Sequence, residues 1–159
     1  MVMEYLQVPS SDDFRAQQIF QSYCETFPED ERRSEKQFQS LFSNPNVKVF
    51  SVLKDLKNIG YLIVWELSNS VFVEHFEIFS EYRSLKYGSE IIADLFRDYS
   101  HIILEAEPET LNNDAQRRIE FYKRNGFRII DEQYIQPSYG EGKSPLNLWL
   151  LANWHPEKT

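Results

Sequence analysis

The sequence predicts an α/β protein, a mixed β-sheet with helices on its faces, in the order β-α-α-β-β-β-α-β-α-β-β. Three observations predict it. Runs alternating apolar and polar residues are interleaved with runs of 3.6-residue apolar period. Three strand-like runs near the middle are joined by short polar connectors, which suits an antiparallel meander. The remaining strands and helices neither repeat as a doubly wound βαβ series nor form an all-helical chain. At 159 residues and 42% apolar content, one domain over 1–159 is long enough to bury a core.

Each element has a local cause. Residues 3–8 read as a short strand closed by Pro9. Ser10 or Ser11 then caps a helix running to about Phe27, with Phe14, Ile19, Phe20 and Tyr23 on one stripe. Pro28 breaks it, and a highly charged helix over 29–42 uses Phe38, Leu41 and Phe42 as its apolar positions. Asn44-Pro45-Asn46 signals a turn into strands over 47–54, 60–67 and 71–79, connected by 55–58 and 68–70. A helix over 86–99 places Tyr87, Ile91, Ile92, Leu95, Phe96 and Tyr99 on one face. A strand over 101–106 ends before Pro108, and a helix over 113–125 stops at Gly126, a suitable C′ residue. Strands over 127–135 and 146–151 flank a loop over 136–145.

Composition excludes several classes. With 17 Lys+Arg against 25 Asp+Glu the net charge is −8, which suits neither broad nucleic-acid binding nor a polybasic membrane anchor. No apolar run approaches the roughly 18 residues of a membrane span, and the first residues do not read as a secretion signal. Cys24 alone forms no internal disulfide, and one Cys with three scattered His offers no metal-site spacing, so no metal is expected. The expected setting is cytoplasmic. The charge is unevenly placed: residues 83–128 carry eight basic and eight acidic side chains, so the whole −8 lies outside them.

The segment over 71–92 carries the chemistry. A strand runs into a tight turn that opens directly into an amphipathic helix, whose first amides lack intrahelical acceptors and lie at its positive end. Such a junction can hold a phosphate or pyrophosphate, with Arg83 and Lys86 adding charge and Gly88 allowing close backbone approach. An ordinary helix start reads equally well on local grounds. There is no G-x-x-x-x-G-K-S/T run for a nucleoside triphosphate.

Tyr82-Arg83-Ser84-Leu85-Lys86-Tyr87-Gly88-Ser89 resembles the acetyl-CoA signature of GCN5-related N-acetyltransferases (GNAT), whose core is R/Q-x-x-G-x-G/A. Further on, 119–127 resembles the family's second hallmark, a helix ending F/L-Y-x-x-x-G-F. The order of elements also resembles the family fold over nearly the whole chain. Two positions depart from the pattern. Lys86 stands where the first motif Gly is usual, and Ala115 where an Asn is often found, with Asn112 and Asn113 nearby.

The resemblance implies a GNAT-like fold, acetyl-CoA as co-substrate and an N-acetyltransferase that moves acetyl to a primary amine by direct attack in a ternary complex. It implies that backbone groups of Phe76, Glu77 and Ile78 pair with the pantetheine arm and the acetyl carbonyl. Arg83, Ser84, Leu85, Lys86, Tyr87, Gly88 and Ser89 would wrap the pyrophosphate. Tyr122 matches the family's general acid for the departing thiolate. Two carboxylates compete as base. Glu74 alternates onto an apolar face with Phe72, Phe76 and Ile78, where its pKa should rise. Glu105 matches a position that supplies the base in some relatives. His75 is expected on the opposite face from Glu74, as a filler or hydrogen-bond partner; His101 and His155 are given no role. Arg117 and Arg118 stand beside the cofactor site, as phosphate contacts or as solvated surface. By analogy the 136–145 loop and the early helices line the acceptor side, with Tyr134, Tyr139 and Trp149 shaping it or packing on the sheet. The expected partner is a small-molecule or peptide amine, with a homodimer left open. The alternatives are a catalytically silent CoA-binding regulatory module, or a domain in which Lys86 blocks the loop and no CoA binds.

Overall fold

The meander over β2 (Val47–Lys54), β3 (Lys57–Glu66) and β4 (Val71–Ile78) forms the middle of the sheet, and every pairing within it is antiparallel. A computed structural model describes residues 3–68, 70–140 and 142–154; His155 lies outside these, as do Asn69 and Glu141 inside two expected connections. The remaining elements are β1 (Glu4–Gln7), α1 (Phe14–Thr26), α2 (Glu35–Leu41), α3 (Tyr87–Asp98), β5 (Ile102–Ala106), α4 (Asn113–Arg124), β6 (Arg128–Gln136) and β7 (Leu146–Ala152). Among the described residues the sheet has seven strands in the order β1-β2-β3-β4-β5-β7-β6, and only β4 and β5 pair in parallel. The mixed sheet expected from the sequence is thus present.

Helices cover both faces. On one, Ile19 and Tyr23 of α1 and Phe38 and Leu41 of α2 bury against Val49, Tyr61 and Ile63. On the other, Ile91, Ile92 and Leu95 of α3 and Ile119 and Tyr122 of α4 bury against Leu62, Val64, Val73, Ile102 and Leu104. Because both faces are covered, β3 is buried continuously from Ile59 to Val64 rather than at alternate residues. No helix among the described residues is long and apolar enough to cross a membrane.

Four local expectations are corrected. Helix α1 is capped by Asp13, whose carboxylate accepts from the Arg15 amide, and not by Ser10 or Ser11. An acid at the positive end of a helix is favoured. Phe14, expected on the apolar stripe, is 62% exposed, with the Arg15 guanidinium against its ring. The helix expected over 29–42 splits into a 3-10 turn, Glu29–Glu31, and α2. Arg32 bonds back to the carbonyls of Cys24 and Phe27, and a capping box of Ser34 with Gln37 starts α2 afresh. The β2–β3 connection is tighter than expected: Asp55 and Leu56 both take positive φ, the two-residue hairpin turn that follows strand twist.

Candidate active site

Strands β4 and β5 part company after three paired residues. The parallel pairing runs only over Val71, Val73 and the residue between, against Ile102, Leu104 and the residue between. Beyond Val73, no strand among the described residues lies against that edge of β4, so its backbone groups there need partners from elsewhere. A groove of about 720 Å³ opens in the fork. Phe76, Glu77 and Ile78 line it, as do Ser84, Lys86, Tyr87, Gly88, Ser89, Glu105 and Tyr122. The structure therefore brings together all but one of the site residues predicted from the sequence.

The exception is Leu85, which is 53% exposed and does not line the groove. Around it the chain turns through two left-handed residues, Ser84 (φ 67) and Lys86 (φ 65), and α3 starts immediately afterwards. Positive φ at Lys86 is the conformation that favours Gly. Lys86 holds it nonetheless. No side chain caps α3, which leaves the first-turn amides directed at the groove's end. Two residues of this loop have further contacts. Gly88 packs beneath α4, where a Cβ would lie 2.9 Å from the Phe121 ring. Arg83 is drawn back to β4, donating to the Ile78 carbonyl at 2.9 Å and to Glu77 at 3.3 Å. Glu77 also accepts from Ser22 and Thr26 of α1, so Arg83 sits above a buried carboxylate.

Helix α4 forms the opposite wall. Tyr122 is 8% exposed, and burial raises the pKa of its phenol, partly offset by the charge of Arg118. Among the described residues its hydroxyl has no hydrogen-bond partner. Arg117 and Arg118 line the same wall but already carry acids, Asp114 at 3.0 Å and Glu107 at 3.2 Å. Asn112 is occupied as the N-cap of α4, accepting from the Ala115 amide.

At the other end the two candidate bases differ. A β-bulge makes Glu74 an extra residue: Ile63 pairs with His75 while Val64 pairs with Val73. Glu74 and His75 therefore share the α1 side of the sheet, correcting the strict alternation expected. Phe76 and Ile78 pack on the opposite side. Glu74 is clamped by Arg33 at 2.7 and 3.1 Å and by the Trp65 indole at 3.1 Å. Burial would raise its pKa, but the bonds from Arg33 and Trp65 and the charges of His75 and Arg33 outweigh burial and lower it. The raised pKa expected for Glu74 is thus overturned. His75 packs between Tyr23 and Phe27, and burial drives its pKa down to about 4, against the pull of Glu74. Among the described residues Glu105 has no such cation. Burial pushes its carboxyl up to about 7; the Glu74 charge adds to this, while hydrogen bonds from Gln136 and Tyr134 restrain it.

The loop after β6 closes this end. Gln37 of α2 bonds to the Tyr139 carbonyl, Lys143 to that of Arg32, and the Ser144 amide to Asp30. Tyr139 stacks on Arg33 with the guanidinium 4.9 Å from its ring centre. Tyr134, Tyr139 and Trp149 do not line the groove, although Tyr134 is hydrogen-bonded to Glu105.

The acetyltransferase (GNAT) family model matches residues 16–127. The chain belongs to that family. YjbC of Bacillus subtilis (strain 168), which carries an acetyltransferase name, is 26% identical over 110 residues; these are 69% of this chain and span 56% of YjbC. A GNAT-family protein of Bacteroides thetaiotaomicron superposes with a TM-score of 0.87 at 26% identity, over 98% of this chain and 88% of that one. A GNAT acetyltransferase of Elizabethkingia anophelis with acetyl-CoA bound gives 0.64 at 10% identity, over 94% and 96%, a likeness of fold alone.

Sequence reasoning missed Glu31 and Gln136, which line this GNAT groove, and Arg33, which holds Glu74. Glu31 lines the groove from the 3-10 turn, and burial together with the Glu107 charge pushes its carboxyl up to about 7. No periodicity marks a three-residue turn. Arg33 was invisible because its partner lies 41 residues away. Gln136, 8% exposed, could have been noticed as the polar end of a strand, but its contact with Glu105 spans 31 residues.

Proposed function

We propose that this chain transfers an acetyl group from acetyl-CoA to a primary amine by direct attack in a ternary complex. One observation carries the reading: a single groove joins uncapped helix amides at one end to a half-buried carboxylate with no cation partner among the described residues at the other. The residues fit the co-substrate, because the unpaired β4 edge and the α3 amides offer donors to a polyanionic ligand. Bound acetyl-CoA would supply the activated thioester.

The chain's own residues do the rest. The turn over 84–89 holds the pyrophosphate, and Lys86 adds a cation in place of the usual Gly. Backbone groups of Phe76, Glu77 and Ile78 orient the pantetheine arm and polarise the acetyl oxygen. Glu105, poised near neutrality, takes the proton of the incoming ammonium. The amine nitrogen then bonds the acetyl carbon as the carbon–sulfur bond breaks. Tyr122, whose raised pKa keeps its proton in place, gives that proton to the thiolate, and the second proton lost by the nitrogen restores the phenol through solvent. Glu74 stays ionised on Arg33 and serves as fixed charge. Glu31 and Glu105 give the acceptor end two carboxyl groups with no ion-pair partner among the described residues, which suits an amine carried on a cationic molecule.

Free-thiol release from acetyl-CoA across a panel of amines tests the activity, with acetyl-CoA thermal stabilisation measured alongside. Turnover with a cationic amine is expected. Stabilisation without turnover would establish the silent CoA-binding module instead. Tyr122→Phe should lower turnover roughly 10²-fold while leaving the acetyl-CoA thermal shift in place. Unchanged turnover would remove Tyr122 from the reaction.

A further inference from the structure

Gln136 is a buried polar residue at the last position of β6, where the chain leaves the sheet. Its side-chain amide donates to Oε2 of Glu105 at 3.2 Å, and both residues line the groove. The position is fixed from outside as well. Three residues further on, the loop is tied to the early helical segment through Tyr139, Lys143 and Ser144. Gln136 thus hangs from a segment anchored at both its strand and its loop end.

We propose that Gln136 is the positioning residue for Glu105, holding one carboxylate oxygen in place as a neutral donor so that the group can both take and release a proton. The proposal rests on Glu105 as the base. Neutrality is the point of the arrangement. The same groove shows what a cation does to a buried carboxylate: Arg33 holds Glu74 ionised. A Lys or Arg at 136 would lock Glu105 in the same way and leave it a poor proton acceptor for an ammonium. An apolar residue there would leave the carboxylate under-solvated and protonated at neutral pH. A carboxamide stabilises the anion without fixing it.

The groups facing Glu105 are few. Glu74 faces it from β4 with Arg33 behind; Tyr134 and Gln136 face it from β6, and Tyr139 from the loop. Burial raises the Tyr134 phenol to about 12, with the Glu105 charge and hydrogen bond adding to the shift; Tyr139 is raised chiefly by burial. Both phenols stay neutral through the range where Glu105 titrates. Among the described residues the charge that bears on Glu105 is therefore that of Glu74, which any charge placed at position 136 would join.

Two substitutions of opposite sign test the role. The Glu105 carboxyl is followed by carbon-13 NMR, assigned with Glu105→Gln, and kcat/KM is measured against pH with 1,4-diaminobutane as the acceptor probe. Gln136→Met, close in volume, should raise the Glu105 midpoint and the acid limb of kcat/KM together by about one pH unit. Turnover below that limb then falls about tenfold. Gln136→Lys should lower both. A purely structural role gives no such reversal of sign. In the unmutated protein, the Gln136 side-chain amide resonance should itself follow the Glu105 titration, a readout that needs no variant to fold. An amide resonance flat across that range, or a Glu105 midpoint unmoved by both substitutions, overturns the role of Gln136 and leaves Glu105 standing as base. A midpoint that moves while the rate profile stays put overturns Glu105 as base instead.

Discussion

Strands β4 and β5 each bring a carboxylate to the groove, from opposite sides of the fork, and the two have opposite acidities. Glu74 sits on a bulge beside Arg33 and is held ionised. Glu105 sits on a regular strand beside a carboxamide and is pushed up to about 7. Burial raises both, so burial alone does not choose the base. The choice is made by the partner that the neighbouring element delivers. The segment between the 3-10 turn and α2 brings a guanidinium to Glu74, and the end of β6 brings a neutral donor to Glu105.

The contrast can be broken in graded steps. The largest effect is expected from Glu105→Gln, which removes the proton acceptor. Turnover should fall at least ~10²-fold, while acetyl-CoA still stabilises the protein in a thermal-shift assay. Next is Arg33→Met. It strands Glu74, whose side chain is only 4% exposed, and an uncompensated buried charge costs about 3 kcal/mol. Urea denaturation measures the loss, and adding Glu74→Gln to Arg33→Met should recover most of it.

A third test separates the carboxylates without any substrate. Glu105 has a folded pKa above its unfolded value, so its contribution is fully present below pH 4.5 and is lost as pH rises through about 7. Glu105→Gln should therefore melt above the wild type at pH 8 and lose that advantage at pH 4. Glu74 has a depressed folded pKa, so its contribution is present above the unfolded pKa and is lost in acid. Glu74→Gln should melt below the wild type at pH 8. The smallest effect is at the cofactor end. Lys86→Gly relieves left-handed strain but adds unfolded-chain entropy, for a net gain of about 0.5 kcal/mol. Acetyl-CoA should shift the melting of the wild type as well as of Lys86→Gly; a shift in the variant alone would show that Lys86 blocks the loop.

What the sequence disclosed follows a physical line. The strands of the meander, α3 and α4 are written in local periodicity, because each buries a face against the sheet. The turn at 84–89 and the Tyr122 helix are contiguous motifs, so they too were legible. The Glu74 bulge was not. It exists only in the register between β3 and β4, and a one-residue slip reverses the face of everything beyond it. The Glu74–Arg33 and Glu105–Gln136 pairs join residues 41 and 31 positions apart, and no local pattern announces either. The break before α2 was a different case. Ser34 and Gln37 are a capping box that the charged run around them obscured.

The pH dependence of kcat/KM, compared among the wild type, Glu105→Gln and Glu74→Gln on one amine acceptor, tests the central claim most directly. The account predicts an ascending limb near pH 7 in the wild type, kept in Glu74→Gln and abolished in Glu105→Gln. A limb that survives in Glu105→Gln and vanishes in Glu74→Gln would contradict it.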